Sequence, residues 1–524
     1  MFAKNEYPQM KMYDSVQNMP KYLQDILYDS WAHPFQKEIF PEINEERFSV
    51  LYSDKPSRPN SPVNVIIGAL ILKELFGLTD EQLVGSIYFD TRFEYALRLT
   101  SEKTPPISLN TFTNFRNRVY AYYNETGIDL IQNEMEALAD IIAEKLEIEG
   151  KRIRIDSFMV SSSLRNLSRV QLVYTVNYQF IKMLNKLDKE LIPESCLAYL
   201  EPGHEKETIY KTRDSEAESK IETLLKHSKA LYDAGVSAGS KVTETEEFKT
   251  LKRMIAEQTK DDDDFNVITP KDNKEISAKS LQNPSDPDAT YRFKYDDNQG
   301  YVANIVETFD KENSVIKSYD FKPNIYSDQK FSSDTIEKLE PKNPIQAFVD
   351  GTYYTYELAK KALEKGIKLI PGELSGKKPA ADKMSFTSFR IENDIIVSCA
   401  AGKIPIYTEK NKDTYYAVFE KDGCSCCELK EECRIDESQN INSVSFTEKR
   451  YETDRLREEM GTKEYKKLTN QRNAIEGVPS VFRRKYNVDY MPVRGLVRSK
   501  VWFGLKVGAY NVKKLFKRLQ VSGV

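Results

Sequence analysis

The stretch Ile345-Gln346-Ala347-Phe348-Val349-Asp350-Gly351 constrains this chain most: a short apolar run closes on an acid and a glycine. A helical pattern over 355–365 follows it, then a second strand-like run, Ile367-Lys368-Leu369-Ile370. Strand, helix and strand joined by such short connections form the βαβ pattern of a mixed or parallel sheet. An acid at the carboxyl end of such a strand stands where α/β active sites are built. A similar run lies far upstream. After a helical pattern over 134–146 and the break at Gly150, Lys151-Arg152-Ile153-Arg154-Ile155-Asp156-Ser157 alternates polar and apolar residues, predicting a strand that ends on an acid.

Composition sets the frame for these runs. The chain has 524 residues, 30% charged and 40% hydrophobic, with 31 Tyr and 25 Phe, which excludes a mostly disordered chain and a membrane protein. The longest apolar run, 65–72, is far too short to span a bilayer. This length allows three or four folding units, each able to bury a core. Residues 1–12 lack a basic segment followed by an apolar one, and the six cysteines are too few for a disulfide scaffold. A reducing, cytoplasmic setting is therefore expected. The net charge of −4 conceals an asymmetry, because residues 478–524 hold eleven Lys or Arg against the single acid Asp489. That segment also carries Phe482, Tyr486, Tyr490, Trp502, Phe503, Tyr510 and Phe516, so it has the apolar content to fold and the charge to meet a polyanion. A merely solvated basic helix is the alternative.

Residues 62–120 read as three helices. Pro62 starts the first, Leu78-Thr79-Asp80-Glu81 caps the second, and the third enters at Ser108 or Asn110 after Pro105-Pro106. The third helix is expected to turn Phe112, Phe115 and Val119 inward and Arg116 and Arg118 outward, as a helix-turn-helix reader of DNA would, or simply to pack. Residues 164–285 look like a charged, helical, partly mobile insertion holding the acidic run 261–264. Strand patterns return at 289–294 and 300–306, a helix at 332–339, and alternating β character over 384–420. A long charged helical pattern runs from 447 to 484. No Gly-rich phosphate loop is present, so neither ATP nor NAD dependence is indicated.

Three carboxylates stand out. Asp156 and Asp350 close predicted strands, and Glu476 lies on a predicted helix with Arg472 one turn before it, on the same face. Carboxylates of this kind suit a pair of Mg²⁺ or Mn²⁺ ions, which keep positions open for water and phosphate oxygens. The arginine could hold a phosphate beside the glutamate. Separately, Cys399, Cys424, Cys427 and Cys433 supply four sulfurs for a structural Zn²⁺, the alternative being plain reduced thiols. His33, His204 and His227 are isolated and read as ordinary surface or packed imidazoles.

The run Arg472-Asn473-Ala474-Ile475-Glu476, followed six residues later by Arg483, resembles the glutamate signature of bacterial insertion-sequence transposases of the DDE class. Thr469 stands where that signature has a tyrosine. Arg154-Ile155-Asp156-Ser157 and Ala347-Phe348-Val349-Asp350-Gly351-Thr352-Tyr353 are similar to the family's two aspartate motifs, with Phe158 in place of a threonine. Arg58-Pro59-Asn60-Ser61-Pro62, residues 72–83 and residues 111–118 look like its helical domain, most specifically that of the insertion-sequence group eleven-eighty-two.

The resemblance implies an α+β multidomain protein. A helical domain over 1–150 would bind DNA ends. An RNase H-like α/β catalytic core over 151–524 would follow, interrupted by a helical insert at 164–285 and a β-rich, Cys-containing insert at 372–446, and closing on the basic segment 478–524. It implies Asp156, Asp350 and Glu476 as ligands of two Mg²⁺ or Mn²⁺ ions, with Arg472, Arg483, Arg484, Lys485, Arg494, Arg116 and Arg118 meeting DNA. The expected activity is cleavage at the terminal inverted repeats and strand transfer into double-stranded target DNA, by a homodimer at the nucleoid and away from membranes. The alternatives are a catalytically decayed or domesticated DNA-binding derivative and a non-transposing nuclease of the same fold.

Overall fold

The computed structural model describes the chain except residues 3, 6–13, 54, 56–58, 102–106, 211–215, 261–264, 266, 294–296, 377–379, 381, 438–440 and 521–524. Arg58, Pro105, Pro106, the acidic run 261–264 and Lys294 therefore lie outside the described residues. The chain is a mixture of helix and sheet, 54% helical and 16% strand, which fits the α+β class. It divides into two compact units. The first comprises residues 1–148, 157–326 and 478–524, and the second residues 149–156 and 327–477. Among the described residues, no helix is long and apolar enough to cross a membrane.

The first unit is built around the helix Val63–Phe76, which is mostly apolar and buried over nearly its whole length, its polar residues Asn64, Lys73 and Glu74 included. A helix with no solvated side must be surrounded. The C-terminal helix Leu496–Arg518 is one of its neighbours. That helix is also mostly buried, and its Gly504 and Gly508 allow close approach, since a Cβ at either would run into Tyr319 or Met135. Thr79 caps the helix Asp80–Phe89 in a reciprocal box with Gln82, as expected. The helix Leu109–Thr126 starts at Ser108 and buries Phe112, Phe115 and Val119. Arg116, expected outward, is instead buried: its guanidinium bonds Asp80 and lies over the Trp502 ring. Burial alone would raise the Asp80 carboxyl, but the bonds from Arg116 and Lys73 outweigh it and hold that group below its ordinary value. The helices Arg169–Leu187, Ala217–Ser237 and Glu246–Gln258 enclose a core of their own, including Phe180, Leu225 and Leu251.

Strand β1, Arg152–Ser161, runs on past Asp156, so that aspartate lies within the strand and not at its end as expected. The reason is that residues 157–161 have partners of their own in the first unit, which also contains β2 (Thr290–Phe293), β3 (Asp297–Phe309) and β4 (Ser314–Pro323). There β3 pairs antiparallel with both β2 and β4. Gly300 of β3 is required where the backbones meet, because a Cβ would lie 2.3 Å from the Val160 carbonyl oxygen.

In the second unit the first residues of β1 pair in parallel with β5 (Ile345–Val349), which pairs in parallel with β6 (Ile367–Pro371). The helix Tyr356–Glu364 connects β5 to β6, and the βαβ expectation holds. Six further strands follow. β7 (Arg390–Glu392) and β8 (Ile395–Ser398) form a ribbon. β9 (Tyr407–Asn411), β10 (Thr414–Phe419), β11 (Asp436–Glu437) and β12 (Asn442–Thr447) form a sheet in the order β11-β12-β10-β9. The helical pattern over 447–484 is not one helix. It divides into Glu448–Gly461, Lys463–Thr469, the 3₁₀ turn Asn470–Glu476 and Gly477–Arg484. Thr462 caps a new start by accepting from the Tyr465 amide, and the last start keeps Pro479 within a first turn, where its missing N–H costs nothing.

Candidate active site

The second unit brings the predicted acids to one edge of its parallel strands. Arg152 pairs with Gln346 and Arg154 with Phe348, and continuing that register sets Asp156 level with Asp350. Neighbouring strands lie about 4.8 Å apart, so the two aspartates leave adjacent strands side by side.

Alternation along β1 does the rest. Ile153 and Ile155 are buried, while Arg152, Arg154 and Asp156 occupy the other side. Arg152 Nη1 donates to Gln471 Oε1 at 3.3 Å, and Arg154 Nη1 to the Gln471 carbonyl oxygen at 3.0 Å. The 3₁₀ turn that carries Glu476 is thereby fastened to the strand that carries Asp156. On the next residue of that turn, the Arg472 guanidinium spans the two acids, with Nη2 3.5 Å from Asp156 Oδ1 and Nη1 3.2 Å from Glu476 Oε1. Arg472 is nearly buried, Glu476 is largely exposed, and the buried Arg472 Nε has no acceptor among the described residues. The expected pairing of Arg472 with Glu476 is present, although on a 3₁₀ turn and not an α-helix.

Asp350 is held separately. Thr352 Oγ1 donates to its Oδ2 at 3.2 Å, and the Tyr353 amide to its carbonyl oxygen at 2.9 Å. The glycine after it is obligatory because a Cβ on Gly351 would lie 2.7 Å from the Glu373 carbonyl oxygen. Arg152 and Arg154 were missed in the sequence, where the alternation of β1 was the signal for them.

The remaining predicted residues lie in the first unit. Arg483 is committed to Asp489 at 3.3 Å and to the Met159 carbonyl oxygen at 2.8 Å. Arg484, Arg494 and Arg118 are exposed, and Arg118 lies over the Tyr52 ring. Lys485 is half-buried beside Lys513, and burial together with that neighbouring charge lowers it to about 8.

Among the described residues, no three His, Cys, Asp or Glu side chains are already gathered as a metal cage. The donor set around Arg472 nonetheless suits a hard cation. Its donors are carboxylate oxygens alone, and two of them already share one positive group. In the β-rich part of the second unit, Cys399, Cys424, Cys427 and Cys433 line one small pocket, none of them in a disulfide among the described residues. Burial raises the Cys424 thiol above its ordinary value.

Comparison with known proteins finds that two segments of the chain match models of transposase domains. These domains indicate a transposase, of the nuclease and transposase class of enzymes. Residues 398–516 match the family described as a transposase DDE domain, and residues 33–118 the one described as a transposase domain (DUF772). The first match contains Glu476 and the four cysteines, while Asp156 and Asp350 lie outside both. No curated protein sequence matches the chain. Among solved structures, a piggyBac transposase synaptic complex with hairpin DNA aligns over 97% of this chain and 83% of that one, at 8% identity and a TM-score of 0.24.

Proposed function

We propose that the chain is a DDE-class DNA transposase of the insertion-sequence group eleven-eighty-two type. In this reading a homodimer binds the terminal inverted repeats of its element, cleaves the ends and joins them to target DNA. The observation that carries it is the Arg472 guanidinium shared by Asp156 and Glu476, with Asp350 on the neighbouring parallel strand. The parallel pairing of β1 with β5 and of β5 with β6, joined by a helix, supports an RNase H-like core.

Asp156 and Asp350 hold the catalytic Mg²⁺ or Mn²⁺ ions in this reading, and Glu476 completes the set. Bound divalent ions supply activation of a water or 3′ hydroxyl and stabilisation of the leaving oxygen. Arg472 neutralises the carboxylates until DNA arrives and then turns its fork toward a phosphate, a geometry that guanidinium matches. Arg152 and Arg154 position Glu476 by holding its turn on β1. Arg484, Arg494 and Arg118, exposed on the first unit, meet the DNA backbone.

The test is cleavage of DNA carrying the element ends with Mg²⁺ or Mn²⁺, comparing the chain with Asp156→Ala and Glu476→Ala. Nicking at the ends that falls roughly 10³-fold in both variants while DNA binding persists is the expected result. Cleavage that survives both substitutions overturns the assignment of the acids. Binding without cleavage by the unsubstituted chain identifies a decayed copy, and cleavage without strand joining identifies a nuclease.

A further inference from the structure

We propose that Cys399, Cys424, Cys427 and Cys433 bind one structural zinc ion that staples the β-rich insert of the second unit, and that Cys426 takes no part. These four line the same small pocket although Cys399 is far from the others in sequence, whereas Cys426, their immediate neighbour, is exposed and turns its sulfur back toward the Asp422 carbonyl oxygen at 3.4 Å. The fold thus sorts five clustered cysteines into four that converge and one that does not. Four sulfurs are what a closed tetrahedral zinc site takes.

The backbone presents these sulfurs on tight turns. The Gly402 amide donates to the Cys399 carbonyl oxygen at 2.9 Å, and the Cys427 amide to that of Cys424 at 3.2 Å. The Lys430 amide donates to the Cys427 carbonyl oxygen at 3.1 Å, and the Cys433 amide to that of Lys430 at 3.2 Å. Gly402 takes a φ of +76° that other residues rarely adopt. Lys383 Nζ clasps the last of these turns, donating to the carbonyl oxygens of Glu431 and Cys433.

Charge and core size point the same way. Zinc bound by four thiolates carries a net charge of −2, and the ammonium of Lys403 lines the pocket, held there by the Gly423 carbonyl oxygen. The insert itself has a small core. Its buried cluster includes Phe389, Ile396, Tyr415, Phe419 and Phe446, and Cys399 and Cys424 belong to it. Domains with so little apolar burial commonly need a metal or disulfides. Cys399 follows β8 directly and Cys433 precedes β11, so the ion would tie the β7-β8 ribbon to the four-stranded sheet. The four sulfurs are not yet gathered into a cage, so binding draws the pocket closed and releases the four thiol protons. Metal loading and ordering of the insert therefore go together.

The test uses the full chain without DNA, so its outcome is independent of the transposase reading. After purification under reducing conditions and dialysis, elemental analysis is expected to find one zinc per chain, released by a mercurial in step with thiol titration. Cys426→Ser should keep that zinc, and Cys427→Ser and Cys433→Ser should lose it. Because those two variants could fail to fold, Co²⁺ exchanged into the unsubstituted chain provides a second reading, as tetrahedral thiolate coordination gives intense visible d–d bands and near-ultraviolet charge transfer. A chain that holds no zinc and gives no such bands, or zinc lost equally in Cys426→Ser, overturns the proposal.

Discussion

Residue by residue, the placing of Asp350 after an apolar strand could be read locally, and the fastening around the candidate acids could not. Asp350 stands out because it closes an apolar run, and Asp156 because it follows an alternating one, although its strand runs on past it. Arg472 could be found because it lies one turn before Glu476. The role of Arg152 and Arg154 depends on Gln471, more than three hundred residues away, and no local pattern encodes such a pairing. Arg472→Lys tests the bridge between acids. An ammonium is a point charge that cannot fork to two carboxylates, so end cleavage should fall by roughly 10²-fold, the scale of losing one preorganised donor. Single-turnover cleavage rates measure it, and an unchanged rate would show that Arg472 is only an ion-pair partner. Gly351→Ala tests the close approach beside Asp350. With a Cβ 2.7 Å from the Glu373 carbonyl oxygen, the loop after β6 must move, at a cost of about 1–3 kcal/mol. Thermal unfolding and cleavage should both suffer, and a variant with the Tm and rate of the unsubstituted chain would remove the packing account of this glycine.

Among the elements, the basic C-terminal segment shows how composition can mislead. Eleven cations suggest a surface, yet the helix Leu496–Arg518 is mostly interior, and its Lys500 and Lys506 are buried against Asp129 and Glu74. Its aromatic residues, Trp502 and Phe503 among them, carried the apolar signal, but nothing local reveals that an acid elsewhere in the chain awaits each lysine. Lys506→Met should cost about 3 kcal/mol by leaving Glu74 with less of its compensating charge, while the salt dependence of DNA binding stays the same. A shallower salt slope with unaltered stability would instead make Lys506 a phosphate contact.

Lys485 makes the opposite case, a cation that the fold penalises. Its folded value of about 8 lies below the roughly 10.4 of an unfolded lysine, so between those limits the folded chain binds fewer protons. Stability from this group is therefore present above about pH 10.4 and is lost as pH falls through 8. Lys485→Met should unfold at higher urea concentration than the unsubstituted chain at pH 7, and the gap should close by about pH 10.5. Equal midpoints at pH 7 would mean that solvent screens the charge from Lys513.

For the whole molecule, the chain changes unit beside two of the candidate acids. Asp156 is the last residue of the segment 149–156, and Glu476 is the last but one of 327–477. The second unit is consequently not a continuous stretch of sequence, a fact that no pattern of strands and helices could disclose. Residues 327–477 contain β5, β6 and the β-rich insert but not the strand that pairs with β5 through Arg152 and Arg154. Expressed alone, that fragment would leave one edge of β5 with unpaired N–H and C=O groups and one face of the glutamate turn without its two arginines. It should therefore leave the Gln346 and Phe348 amides, which face β1, without protection by hydrogen exchange read residue by residue, while the β-rich segment keeps protected amides. Restoring residues 149–156 through a linker should bring back that protection, and the same restored fragment carrying Arg154→Ala should recover less of it. Full protection of β5 in the fragment that begins at 327 would show that the parallel strands are complete without β1, and that Asp156 joins a site already formed.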